Sequence, residues 1–148
     1  MERLEALEDQ ALALGVIVDY RILRATDGLD GLYLAWPAGA VILVNAHRTI
    51  DTQVIALAEE LGHHLKTSGS VIRLDTVAAR KGEAAGRAWS YRALMPPDKV
   101  VGAVRSGVCS PWELAELFGV TDGFVREALT YYQRKAALPT TCGWCTIG

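Results

Sequence analysis

Glu59, Glu60 and His63 fall within the stretch Leu57-Ala58-Glu59-Glu60-Leu61-Gly62-His63-His64. Their types and spacing suit a helix that holds a divalent metal ion. Residues at i and i+4 lie one turn apart on one face, so the Glu59 carboxylate and the His63 imidazole can reach a single ion. Glu60 lies about 100° further round the helix, placed to act as general base toward a water molecule. The commoner pattern for this chemistry is H-E-x-x-H, and here a glutamate, Glu59, stands at its first ligand position. Taken alone, the pattern reads first as an amphipathic helix with an acidic, solvated face.

The surrounding residues supply the wheel. Val54, Leu57, Ala58, Leu61 and Leu65 recur at helical spacing and form the core-facing stripe. Glu59 and His63 point roughly opposite that stripe, beside Ala56, with Ile55 and Gly62 on the flank. Two ionisable groups among small and apolar neighbours are costly unless each has a partner. Glycine in mid-helix costs about 1 kcal/mol relative to alanine, so Gly62 implies that something packs closely against it. A bound cation would account for both oddities. Gln53, Glu60 and His64 share a polar sector. There His64 reads first as a solvated histidine, and otherwise as a group that supports the metal ligands or a developing oxyanion. His47 belongs to the loop before this helix and is a weak ligand candidate.

The elements that must position these groups follow from periodicity and turn chemistry. Residues 2–14 read as a helix through Leu4, Leu7, Ala11 and Leu14, closed by Gly15. Three strand candidates follow at residues 16–23, 31–36 and 41–45. They are separated by Thr26-Asp27-Gly28 and Pro37-Ala38-Gly39, and the short spacing predicts an antiparallel sheet. The 50–65 helix comes next, then a short extended piece at 71–74. An alanine-rich helix over 76–94 is stopped by Met95-Pro96-Pro97. Residues 98–105 form a short helix. Ser110-Pro111-Trp112-Glu113 is a capping box that opens a helix to Phe118, with Gly119 as C-cap. Thr121 opens the last helix. The order predicts an α+β fold: a core over 1–97, a helical unit over 98–137 and a tail over 138–148.

Composition narrows the class. Of 148 residues, 51% are hydrophobic and 22% charged, which is enough to bury a core. Seventeen acidic residues against fifteen basic give a net charge of −2 and no electrostatic pull toward nucleic acid or anionic membrane. The charged start Met1-Glu2-Arg3-Leu4-Glu5 is unlike a secretory signal, and no run reaches the ~18 apolar residues of a membrane span. Three cysteines make no disulfide framework, so the cytoplasm is the expected compartment.

The segment from Leu57 to His64, followed by Glu83-Ala84-Ala85-Gly86-Arg87-Ala88-Trp89-Ser90-Tyr91-Arg92-Ala93-Leu94-Met95-Pro96, resembles the two site helices of the ImmA/IrrE family of metallopeptidases. The E-E-L-G-H variant is similar to members of its phage-associated branch. The likeness spans roughly residues 15–135. It implies a zincin-like core with one Zn2+ per chain (Mn2+ as an alternative). Glu59, His63 and Glu83 would be metal ligands and Glu60 the catalytic base. It also implies a protein substrate, typically a helix-turn-helix transcriptional repressor of a mobile element. Two carboxylates and a neutral imidazole offset a divalent charge completely, whereas two histidines and one carboxylate leave one positive charge. The site is therefore expected to bind metal more weakly and to acidify water less than one with the full motif. A degraded site that binds a repressor or other protein without cutting it is the alternative.

Residues 110–129 have the outline of a helix-turn-helix. Arg126, Arg134 and Lys135 stand against Glu113, Glu116, Asp122 and Glu127, a poor surface for phosphates. DNA binding is therefore not expected, and a structural or protein-binding role is preferred. Cys142-Gly143-Trp144-Cys145 has the spacing of a redox pair or of half a zinc site. Cys109 is the one other cysteine, so a plain tail, or one docking through Trp144, is the better reading.

Overall fold

A computed structural model describes residues 2–23, 28–66, 77–108 and 110–135, the side chains of 77–82 excepted. The elements run α1 (Glu2–Ala13), β1 (Val16–Arg21), β2 (Gly31–Trp36), β3 (Gly39–Asn45), α2 (Ile50–Lys66), α3 (Val77–Leu94), α4 (Pro97–Arg105), α5 (Pro111–Phe118) and α6 (Asp122–Arg134). The fold is α+β. The predicted extended piece at 71–74, most of the 26–28 turn, Cys109 and the tail with Cys142 and Cys145 lie outside the described residues.

The sheet corrects one expectation. It is mixed, not antiparallel, with strand order β1-β3-β2. β1 runs parallel to β3, and β2 runs antiparallel to it. Strands close in sequence are not all neighbours here, since β3 lies between β1 and β2. β3, whose Val41-Ile42-Leu43-Val44 run carries no charge, takes the centre. β1, with Asp19 and Arg21, is left at an edge, where those charges meet solvent.

The chain divides into two compact units, Met1–Ser90 and Tyr91–Gly148. In the first, the period of two along β3 buries Ala40, Ile42 and Val44. Register places Val16, Val18 and Tyr20 of β1, and Gly31, Tyr33 and Ala35 of β2, on that same face. α2 packs against β2 and β3, and α1 packs against α2 and β1. Leu4, Leu7 and Ala11 of α1 and Val54, Leu57, Ala58 and Leu61 of α2 fill the space between. Leu65, the last position of the predicted stripe, lies exposed at the helix end.

At the end of β3, buried Asn45 ties the turns together. Its amide donates to the Leu29 carbonyl (3.0 Å), and its side-chain oxygen accepts from the His47 backbone N–H (3.1 Å). The Thr49 hydroxyl accepts from Thr52 N–H at the start of α2. These contacts fix where the helix begins, and so where its later turns fall on β2.

In the second unit, Ser110 caps α5 and also donates to the Glu113 carboxylate at 2.7 Å. Gly119 takes the left-handed conformation (φ 64°) that ends it. Thr121 caps α6. Leu114, Phe118, Val125 and Tyr132 are buried, and the Tyr132 hydroxyl donates to the Met95 carbonyl at 2.7 Å. Among the described residues, no helix is long and apolar enough to cross a membrane.

Candidate metal centre

Helices α2 and α3 meet backbone to backbone. A Cβ added to Gly62 would lie 2.5 Å from the Gly86 carbonyl oxygen and 2.8 Å from Gly86 Cα. One added to Gly86 would lie 2.9 Å from His63 Cδ2, 3.0 Å from His63 N and 3.1 Å from the Glu59 carbonyl oxygen. No side chain fits between them, so this is the close neighbour that Gly62 implied. Gly86 thus sits against the turn of α2 bounded by Glu59 and His63. Glu83, three residues earlier on α3, lies one helical turn from that crossing.

The charges show what the crossing brings together. The Glu60 carboxyl is pushed from 4.5 up to about 7, first by burial and then by the carboxylates of Glu59 and Glu83. His63 is held below its ordinary value. Burial is the main cause and the Arg87 guanidinium adds to it, while Glu83 pulls the other way. Glu83 therefore acts on both the base candidate and the imidazole, and it belongs to the same side as Glu59, Glu60 and His63. An imidazole so lowered is neutral at pH 7, the form that binds metal.

Of the sector holding Gln53, Glu60 and His64, Gln53 donates to the Arg48 carbonyl at 2.8 Å, while Glu60 and His64 face β2. A Cβ on Gly31 would lie 3.2 Å from Glu60 Cγ, so the absence of a side chain there makes room for the carboxylate. Two residues on, and therefore on the same strand face, the Tyr33 hydroxyl and His64 Nδ1 share a 2.8 Å hydrogen bond, their rings edge to face. His64 is thus held, not freely solvated. The Tyr33 hydroxyl is raised above its ordinary value by burial and then by the Glu60 charge, which keeps it protonated. His47 is exposed in the loop before α2, and the helix rise alone puts about 20 Å between Ile50 and His63.

Arg87 joins the site without having been expected from the sequence. Its Nε lies 4.0 Å from Glu59 Oε1, with the two side chains 56% and 31% exposed. The available signal was its place four residues after Glu83, on the same face of α3. Tyr33 was missed as well, although its alternation with Gly31 marks the strand face toward α2.

By type, the donors suit a divalent ion: two carboxylates and an imidazole kept neutral, on two helices in contact. Among the described residues, no three His, Cys, Asp or Glu side chains already converge into a ready cage. Neither a family model nor a curated protein matches this chain.

Proposed function

We propose that this chain is a zinc-dependent endopeptidase of the ImmA/IrrE type, with Glu59, His63 and Glu83 as ligands and Glu60 as general base. One observation carries the reading. The close contact of Gly62 with Gly86 supports it by setting Glu83 one helical turn from the Glu59–His63 turn, and the Glu83 charge adds, after burial and the Glu59 carboxylate, to the rise of the Glu60 carboxyl to about 7.

A divalent ion bound by these ligands would polarise the scissile carbonyl and make water a stronger nucleophile. Glu60 would take a proton from the attacking water and return it to the leaving amine; in the metal-free protein its carboxyl is raised to about 7 by burial and by the carboxylates of Glu59 and Glu83. Burial against Gly31 fixes its carboxylate and limits its hydration. His63 stays neutral and available as a ligand. Tyr33 holds His64 beside this centre, where its ring can meet a substrate oxygen. The substrate class, a helix-turn-helix repressor of a mobile element, follows from the resemblance of the two helices.

The test is cleavage of an unfolded protein substrate with zinc supplied. Wild type should cut, and Glu60→Gln should retain metal and lose cleavage. Equal cleavage by both proteins contradicts the assignment of the base.

A second reading is favoured by the Arg87–Glu59 pair. A guanidinium that already offsets the Glu59 charge suits a peptidase fold that binds a protein partner without cutting it. In that case a repressor would bind unchanged in the presence of a chelator and emerge intact.

A further inference from the structure

Two i, i+4 pairs face one another across the Gly62–Gly86 contact. On α2 the pair is Glu59 and His63, and on α3 it is Glu83 and Arg87. Three of the four are the donors invoked above, and the fourth is a permanent cation. Arg87 reaches across to within 4.0 Å of the Glu59 carboxylate. It also follows Glu83 by four residues, the spacing and polarity that favour an ion pair along a helix. A divalent ion held by Glu59 and Glu83 would therefore take both carboxylates within reach of Arg87 and sit close to its charge.

We propose that Arg87 is a built-in counter-cation for Glu59 that an incoming divalent ion must displace, so that Arg87 sets the metal affinity of this site. The inference rests on the metallopeptidase reading and deepens it. A histidine at position 59 would need no counter-charge, whereas a glutamate there adds a negative charge beside Glu60 and Glu83. Arg87 offsets that charge when no metal is bound. Its side chain is more than half exposed, so it can swing to solvent when the ion arrives.

The experiment is zinc titration by calorimetry on wild type, Arg87→Gln, Glu59→Gln and the double variant, with circular dichroism to confirm that each is folded. Arg87→Gln should bind zinc about three- to tenfold more tightly, the scale of an exposed ion pair lost together with a nearby repulsion removed. That gain should shrink by at least half in the Glu59→Gln background. Equal or weaker binding by Arg87→Gln overturns the proposal and leaves the metal reading standing. A gain fully retained without Glu59 also overturns it, since Arg87 would then act as a general charge. If none of the four binds zinc, the metal reading falls and this inference falls with it.

Discussion

Gly62 and Gly86 touch so closely that neither can carry a side chain: a Cβ on Gly62 would sit 2.5 Å from the Gly86 carbonyl oxygen. Two helices thereby approach at the level where Arg87 Nε lies 4.0 Å from the Glu59 carboxylate and where the Glu83 charge acts on Glu60 and His63. The charge pattern of the site depends on that approach.

Gly62→Ala is the direct test of the contact. Alanine should favour the helix by up to about 1 kcal/mol, but its methyl meets backbone that cannot rotate away. A net loss of about 2 kcal/mol is expected from overpacking. Urea denaturation reads the loss, and a more stable variant would show that the helices lie further apart.

Glu60 predicts a pH dependence for the metal-free protein. Its folded value, about 7, lies above the ordinary 4.5, so the folded state holds a proton that the unfolded state releases. This contribution to stability is complete below about pH 4.5 and is lost as pH rises through 7. Denaturation midpoints should fall across that window, and Glu60→Gln should flatten the slope. An unchanged slope in the variant would place the effect elsewhere.

Much of this was legible in the sequence. Helical periodicity and the caps at Ser110, Gly119 and Thr121 placed the elements closely, because those signals are local. The expense of Gly62 in mid-helix pointed to a close neighbour, and Gly86 is that neighbour. Strand order was not legible, since the choice of the central strand depends on what each strand buries on both sides. The orientation of Glu60 and His64 toward β2 was missed for a related reason. A helical wheel shows a polar sector but not what stands opposite it, and here Gly31 leaves the space and Tyr33 supplies the partner. Arg87 depends on a contact between helices, which spacing within one helix does not reveal.

Tyr33→Phe isolates the hydrogen bond to His64. The ring stays and the hydroxyl goes, so a loss of about 1 kcal/mol is expected, read by denaturation at pH 7. If His64 serves the substrate, peptidase kcat should fall further than stability alone explains. No change in either would make the 2.8 Å contact incidental.

Glu59→His should strengthen zinc binding and speed hydrolysis. It restores the histidine-rich donor set and leaves one positive charge at the centre. The gain in affinity should reach at least the roughly ten- to hundredfold scale on which changes around metal ligands act, measured by competition with a chromogenic chelator. Identical affinity and activity in the variant would mean that Glu59 is not a ligand.

Metal content of the purified protein bears most directly on the central claim. Wild type equilibrated with zinc and freed of excess should retain close to one ion per chain, and Glu83→Ala should retain far less while keeping its fold. A wild-type protein that holds no zinc, or a Glu83→Ala variant that holds as much, would contradict the account.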